Sequence, residues 1–215
     1  MQLPGLIVKK VGMTRMVDGE GRMIPVTLVQ ADDQKITKIL TPERDGYHGF
    51  QVGFYAKPEF RLKKPDIHRL RKVKIEDNYS RFREFRLEGA PDGVELGTAL
   101  KVEGFSEIPS VDVTGLTKGR GFQGTTKRYN THVGRRTHGS RYQRRGGSLG
   151  QCTTPGRVYK NKRMPGHMGV TNTTVQNLKI LEVDHESNVI ALKGSIPGHN
   201  DGYLVIRPSV KMKSK

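Results

Sequence analysis

Residues Val113 to Leu181 read VTGLTKGRGFQGTTKRYNTHVGRRTHGSRYQRRGGSLGQCTTPGRVYKNKRMPGHMGVTNTTVQNLKIL, and this stretch decides how the rest of the chain is organised. Its 69 residues include 14 Lys and Arg but neither Asp nor Glu. A folded surface normally carries both signs of charge. A run of this length without an acid therefore indicates that the compensating anion lies outside the chain.

The spacing of glycines and apolar residues in this stretch indicates what class of partner it binds. Twelve glycines punctuate it, and its apolar residues are isolated rather than spaced with the period of a helix or a strand. Such a segment is expected to become ordered by wrapping a highly charged polymer, with its backbone close to that polymer wherever glycine removes the side chain. Structured RNA fits better than a membrane surface, because no amphipathic helix is present to insert into lipid.

Most of the net positive charge of the chain lies in this region. Residues 111–170 contribute +12 of the net charge of +17, from thirteen Lys and Arg and the single acid Asp112, and the other 155 residues share about +5. Hydrophobic residues make up 33% of the chain, enough for one small core. The single cysteine excludes an internal disulfide, the N-terminus lacks the layout of a secretory signal, and no apolar run approaches the roughly 18 residues of a membrane helix. We therefore predict a soluble, cytoplasmic protein that binds a polyanion.

Short strand-like runs flank the basic stretch on both sides, separated by turn signals such as Asp18-Gly19. The predicted strands cover residues 6–8, 24–29, 35–40, 47–55, 82–87 and 98–102 before the stretch, and 175–183, 189–192 and 203–206 after it. The predicted fold class is mainly β: both blocks close into one small antiparallel barrel, which removes sheet edges. The barrel domain comprises residues 1–112 and 170–215, and residues 113–169 leave it as a long irregular basic extension.

A basic segment spanning residues 57–77 breaks the strand pattern. Ile67, Leu70 and Val73 have helical spacing, and Pro65 can start a helix, so the segment predicts a short surface helix. Two interpretations of its cations stay open: a solvated face above the core, or a secondary surface that contacts phosphate.

Two nucleotide-binding motifs are matched only in part. Gly119-Arg-Gly121-Phe-Gln-Gly124 has the spacing of a dinucleotide-binding turn, but that turn must open a helix, and the following TTKRYNTHVG is poor helix material. A P-loop would need lysine where Thr125 stands. Backbone laid along phosphates is the interpretation that survives.

Metal binding and catalysis find no support in the stretch. His132, His138, His167 and Cys152 lie in it, but they form no pair with the spacing of zinc ligands. A catalytic nucleophile needs a base and an orienting carboxylate, and the stretch has no carboxylate. We predict no metal, no cofactor, no small-molecule substrate and no enzymatic activity.

The positive signal is the interleaving of cations with aromatic residues and glycines. Guanidinium groups bridge phosphates and stack on bases, aromatic rings offer faces to unpaired nucleotides, and histidines donate to phosphate. The predicted RNA-binding residues are Lys118, Arg120, Phe122, Lys127, Arg128, Tyr129, His132, Arg135, Arg136, His138, Arg141, Tyr142, Arg144, Arg145, Arg157, Tyr159, Lys160, Lys162, Arg163 and His167.

Three segments carry a resemblance to a known family: GLIVKKVGMTRM near the N-terminus, VDVTGLTKGRGFQGTTKRYN, and THGSRYQRRGGSLGQCTTPGRVYKNKRMPGHMG. They closely resemble the bacterial form of the universal large-subunit ribosomal protein three family, and the similarity spans essentially the whole chain. The resemblance implies a barrel of the translation-protein type on the surface of the large subunit in the cytoplasm, with neighbouring large-subunit proteins as partners. It also implies direct binding of 23S rRNA and a role early in subunit assembly.

The resemblance further implies roles for particular residues. The loop nearest to the peptidyl transferase centre corresponds to residues 141–154, at the tip of the extension. The glutamine that a glutamine methyltransferase modifies on its side-chain amide in bacterial relatives falls on Gln151. Those relatives commonly have asparagine at the next position, where this chain has Cys152. A protein of another class, an RNA chaperone or nucleic-acid-condensing protein without a fixed site, is the alternative; an RNA-modifying enzyme would need a cofactor site that the sequence lacks.

Overall fold

The computed structural model describes residues 4–89 and 94–211, and these residues are mainly β with three short α-helices. The chain divides into two units. One, the strand unit, comprises Met1–Leu116 and Asn172–Lys215, and the other, the basic unit, comprises Thr117–Thr171.

The elements alternate between strands and short helical turns along the chain. The strands are β1 (Leu6–Val17), β2 (Met23–Gln30), β3 (Lys35–Leu40), β4 (Gly49–Ala56), β5 (Tyr79–Arg86), β6 (Ser110–Leu116), β7 (Phe122–Gln123), β8 (Gly166–His167), β9 (Asn172–Asp184), β10 (Val189–Lys193) and β11 (Tyr203–Pro208). The α-helices are α1 (Pro42–Asp45), α2 (Lys64–Lys72) and α3 (Thr125–Tyr129), and 3-10 turns span Glu59–Arg61 and Val102–Phe105.

Six strands of the strand unit close into a ring in the order β1-β11-β6-β9-β10-β2. Every neighbouring pair is antiparallel, and the pairing of β2 with β1 completes the circuit. A closed sheet leaves no row of unpaired backbone groups along an open edge. The prediction of a mainly β chain is confirmed, and the strands on the two sides of the basic stretch meet in this ring.

A second sheet corrects the prediction that all the strands form one sheet. Strands β3, β4 and β5 form a separate antiparallel sheet in that order. Its buried Phe50 and Phe85 belong to the same hydrophobic cluster as the ring residues Leu6 and Val113, so the two sheets share one core. A strand pattern shows which residues are buried but does not show which strand is the partner.

Two further predictions in the strand unit are corrected. Residues 98–102 do not form a strand, because Ala99 makes only an isolated bridge to Lys35 and a 3-10 turn begins at Val102. Sequence analysis did not predict β6, and the predicted domain boundary at residue 113 falls inside it.

Strand β6 contains a buried acid that disguises its pattern. Val111 and Val113 are fully buried on either side of Asp112, which is itself buried. The register with β9 shifts between these valines, and the Asp112 carboxylate accepts hydrogen bonds from the backbone N–H groups of Asn177 (2.8 Å) and Val210 (3.3 Å). The carboxylate therefore satisfies the Asn177 donor at the irregularity and the Val210 donor just beyond the end of β11.

The predicted surface helix is confirmed as α2, with a proline in its first turn and cations in its last turn. Its buried Leu70 packs with Ile75 and Tyr79 in a small second cluster, and Val73 and Phe82 pack against the edge of that cluster. Two residues of the predicted apolar stripe, Leu70 and Val73, thus hold the helix on the sheet, whereas Ile67 does not belong to this cluster.

Gly115 provides a test of the ring's packing. A methyl group at this position would lie 2.0 Å from Leu204 Cδ2, whereas at Gly12, on β1, it would meet nothing within 4 Å. We expect Gly115→Ala to lower the free energy of unfolding by about 1–3 kcal/mol, measured by urea denaturation, because overpacking a core has that cost. Gly12→Ala is the matched control and should change it by less than about 0.5 kcal/mol. Equal effects at the two sites would contradict close packing at Gly115.

Candidate nucleic-acid interface

Backbone hydrogen bonds pair the two ends of the basic unit. Thr117 and Thr171 are joined by their backbone and hydroxyl groups, including a bond of 3.0 Å from the Thr117 N–H to the Thr171 carbonyl. Arg120 donates its N–H to the carbonyl of Met168 (2.9 Å), and Met168 donates to Gly121 (2.9 Å). The two-stranded pairing of β7 with β8 follows directly. These bonds bring together segments that lie far apart in the chain.

Helix α3 corrects the prediction that the residues after Gly124 are poor helix material. The N–H groups of Lys127 and Arg128 donate to the Gly124 carbonyl, and Asn130 ends the helix in the left-handed conformation. The strand before it, β7, has two residues and pairs only with β8 in the described part of the chain. A dinucleotide site needs a parallel βαβ unit, so the helix does not restore that interpretation.

Arg128 is a brace inside the basic unit. Its Nη1 donates a hydrogen bond of 2.9 Å to the carbonyl of Met164, and a methyl group on Gly166 would lie 2.5 Å from the same nitrogen. Tyr129 lies between two guanidinium groups, with Arg128 at 5.1 Å and Arg163 at 5.8 Å from its ring centroid. Arg128 therefore joins α3 to the segment before β8.

The glycines of the basic unit serve two purposes. A side chain at Gly134 would lie 2.1 Å from the Tyr142 carbonyl, and one at Gly169 would lie 2.1 Å from the Lys118 carbonyl, so these two glycines allow close approach within the unit. At Gly146 and Gly147 a methyl group would meet nothing within 4 Å. Only the second kind matches the expectation that glycine leaves backbone open to an external polymer.

The basic unit has almost no interior. Thr125, 8% exposed, is the only buried side chain among residues 117–171, all of which the structure describes. Phe122 is 74% exposed and Tyr142 is 66% exposed, although aromatic residues normally contribute strongly to a core. The unit thus holds its form by backbone hydrogen bonds and by the Arg128 brace rather than by apolar burial.

Most of the predicted RNA-binding residues are at the surface. Of the twenty, Arg128 and Tyr129 are partly buried and the other eighteen are exposed. The exposed residues are Lys118, Arg120, Phe122, Lys127, His132, Arg135, Arg136, His138, Arg141, Tyr142, Arg144, Arg145, Arg157, Tyr159, Lys160, Lys162, Arg163 and His167.

The electrostatics of the two units differ sharply. The basic unit contains thirteen Lys and Arg and no acid, which accounts for +13 of the net charge of +17 and leaves +4 for the strand unit. All six ion pairs found among the described residues lie in the strand unit. The cations of the basic unit are therefore not neutralised within their own unit, and self-repulsion favours a bound polyanion.

The segment 141–154 is the most open part of the basic unit. Every residue in it is exposed, including Gln151 and the free thiol of Cys152. The Ser148 hydroxyl donates to the Gly150 carbonyl (2.8 Å), a local contact that shapes the chain just before Gln151. The side-chain amide of Gln151 is thus accessible.

None of the twenty predicted RNA-binding residues lies in the strand unit, but the structure groups aromatic and cationic side chains there. Arg81 lies within 6 Å of the ring centroids of Tyr55 and Tyr203, and Lys57 lies 4.9 Å from that of Tyr55. Tyr55, Arg81 and Tyr203 come from three different strands, β4, β5 and β11, so no local motif could have revealed the group.

The described ranges contain neither a cluster of metal-binding side chains nor a membrane-spanning helix. No three His, Cys, Asp or Glu side chains among residues 4–89 and 94–211 come together in a way that could hold a metal ion. In the same ranges, no helix is both long enough and apolar enough to cross a membrane.

These features define a class: a small mainly β protein with a coreless, acid-free basic unit of the kind that binds a nucleic-acid polyanion. A family model described as ribosomal protein L3 matches residues 86–191. The large ribosomal subunit protein uL3 of Aliivibrio fischeri (strain MJ11) is 44% identical over 208 residues, covering 96% of this chain and 99% of that protein. Its counterpart from Vibrio vulnificus (strain YJ016) is 45% identical with the same coverage. The chain therefore belongs to the ribosomal protein L3 family, which confirms the resemblance seen in the sequence.

The Arg128 brace can be tested by amide hydrogen exchange. We expect Arg128→Ala to speed exchange of the Arg128 and Met168 N–H groups by about tenfold, because a hydrogen bond made by a charged donor is lost. Lys127→Ala is the matched control, since Lys127 is an exposed neighbour on the same helix. Exchange that rises equally in both variants would show that Arg128 is not a brace.

Proposed function

We propose that this protein is a structural component of the large ribosomal subunit in the cytoplasm and that it binds 23S rRNA directly through the basic unit. Family membership supports the first part. The observation that carries the second is the +13 charge of a unit with no acid and almost no buried side chain. Its partners are rRNA and neighbouring subunit proteins, and its role is structural rather than enzymatic.

Charge neutralisation supplies the mechanism. Each cation that meets a phosphate displaces condensed counterions, and their release drives binding. Unlike a free counterion, a cation attached to a folded chain cannot diffuse away. The basic unit thus permits rRNA strands to approach each other closely while it carries out no chemistry. Arg and aromatic side chains add stacking on unpaired bases.

The finer proposals follow from the family resemblance. We propose that the closed ring is a barrel of the translation-protein type and that the basic unit is an extension that penetrates rRNA, with residues 141–154 nearest to the peptidyl transferase centre. Binding early in assembly fits a protein whose charge is concentrated in one unit. The exposed side-chain amide of Gln151 suits modification by a glutamine methyltransferase.

A salt titration tests the electrostatic proposal. We expect affinity for 23S rRNA to fall by roughly 10³ to 10⁵ between 50 and 200 mM salt if six to ten cations meet phosphates. Replacing Arg141, Arg144 and Arg145 together by Gln should lower the slope of log K against log salt by roughly 2 to 3. The matched control replaces three exposed cations of the strand unit, Arg15, Arg44 and Lys193.

The same titration separates the alternative function. An RNA chaperone or condensing protein would bind an unrelated RNA of equal length as tightly as 23S rRNA. Preference for 23S rRNA, together with a smaller slope change in the control variant, supports a fixed rRNA site. Equal binding of both RNAs would contradict it and favour the chaperone.

The segment 141–154 can be tested in assembled ribosomes. We expect Arg144→Ala, Arg145→Ala and Gln151→Ala each to alter tRNA accommodation or sensitivity to antibiotics of the peptidyl transferase centre, with normal thermal unfolding of the free protein. Mass spectrometry of the natural protein should find one added methyl group on the peptide that contains Gln151. The matched control is Cys152→Asn, which restores the residue that bacterial relatives commonly have at this position. Unchanged accommodation and sensitivity in all three variants would contradict a functional tip.

A further inference from the structure

The strand unit contains a cavity that the proposed function does not use. Its volume is about 400 Å³, in the range of pockets that hold small organic groups. It is lined by Lys9, Tyr55, Arg81, Leu116, Tyr203 and the turn before Tyr203.

Two tyrosines form an aromatic wall. The rings of Tyr55 and Tyr203 meet edge to face, with centroids 5.3 Å apart. The Tyr203 hydroxyl donates a hydrogen bond of 2.7 Å to Asp32, and burial together with this bond raises the pKa of Tyr203 above its usual value. The Tyr203 phenol thus stays neutral and fixed in orientation.

Tyr55 has an unusual backbone. Its φ angle of 62° lies in the left-handed region, which aromatic residues rarely adopt. The register of the pairing between β4 and β5 is the same on both sides of this residue, since Phe54 pairs with Arg81 and Ala56 pairs with Tyr79, and Tyr55 itself is skipped. Residues held in such a conformation cluster at binding sites, where the surrounding structure holds them in place.

Cations border the aromatic wall. Arg81 is exposed and lies 5.2 Å from the Tyr55 centroid and 5.8 Å from the Tyr203 centroid. Lys9 forms a 2.9 Å ion pair with Asp201, and this bond raises the pKa of Lys9. Asp201 is therefore paired with Lys9. Arg81, which also lines the cavity, belongs to none of the ion pairs found among the described residues.

The turn that completes the cavity is held in place by Lys10. The buried Lys10 ammonium donates to the carbonyls of Ile196 (3.1 Å) and Gly198 (3.3 Å), and the Asp201 N–H donates to the Lys10 carbonyl (2.7 Å). His199 is exposed on this turn and lines the cavity. The imidazole therefore sits on a preformed turn rather than on a free loop.

We propose that this cavity binds one unpaired nucleotide of an RNA strand, with the base against Tyr55 and Tyr203 and the phosphate at Arg81 and His199. An aromatic surface beside a guanidinium is the arrangement that proteins use for unstacked bases. The cavity is a second RNA contact outside the basic unit, and it does not depend on the contacts proposed for that unit.

Photocrosslinking of the full-length protein tests the proposal. The probe is a uridine pentamer with a central 4-thiouridine, and mass spectrometry of tryptic digests locates the crosslinks. We expect crosslinks on the peptide of residues 194–211, which contains His199 and Tyr203. Arg81→Gln should reduce them about fivefold or more, since the variant loses the charge-assisted contact of the guanidinium with the phosphate. Arg83→Gln, an exposed arginine on the same strand that does not line the cavity, should leave them unchanged.

The outcomes separate this proposal from the function proposed above. Crosslinks confined to residues 117–171 would overturn the cavity proposal and leave the basic unit as the RNA-binding region. Crosslinks on the peptide of residues 194–211 alone would support the cavity and count against the basic unit. Equal loss in the Arg81 and Arg83 variants would overturn the cavity proposal in favour of general attraction. Competition with uridine monophosphate distinguishes a free nucleotide from a nucleotide within an RNA strand. If uridine monophosphate displaces the pentamer at equal concentration, the assignment to an RNA strand is overturned. If it does not displace the pentamer, the assignment is supported.

Discussion

The pairing of β6 with β9 is the constraint on which the rest of the structure depends. Its last register pair joins Leu116 to Asn172, so both ends of the basic unit are fixed by a sheet that has its own core. The segment between them has one buried side chain and cannot form a core of its own. Conformational entropy opposes any fixed form of such a segment. Anchoring both ends, together with the backbone bonds from Thr117 to Thr171, reduces that entropy before any partner binds.

The two units differ in charge and in packing, and this difference follows from the same constraint. The strand unit contains the described ion pairs and the hydrophobic cluster, and its cations are largely balanced by acids. Within the basic unit, Gly134 and Arg128 allow or make close contacts with other parts of the unit, whereas Gly146 and Arg144 are open to the RNA partner that we propose. Charge in one unit and packing in the other lets a small protein bind a polyanion without destabilising its core.

The sequence predicted what depends on local pattern and missed what depends on pairing. Helix α2 and most strands followed from spacing, and the absence of acids located the basic unit almost to its boundary. Strand β6 was missed because Asp112 interrupts its apolar pattern, and in the structure this buried acid accepts hydrogen bonds from the backbone N–H groups of Asn177 and Val210. The separate sheet of β3 to β5 and the role of Arg128 depend on partners that are distant in the chain, which no local pattern records.

Closure of the sheet across Leu116 and Asn172 also bears on how a protein of this kind can change in length. To the ring, everything between these two residues is a single connection between adjacent antiparallel strands. Doubling the length of a flexible connection of this kind costs only about 0.6 kcal/mol of closure entropy. Insertions or deletions between Thr117 and Thr171 can therefore accumulate while the register of the ring stays the same, so the length of the basic unit can change independently of the strand unit.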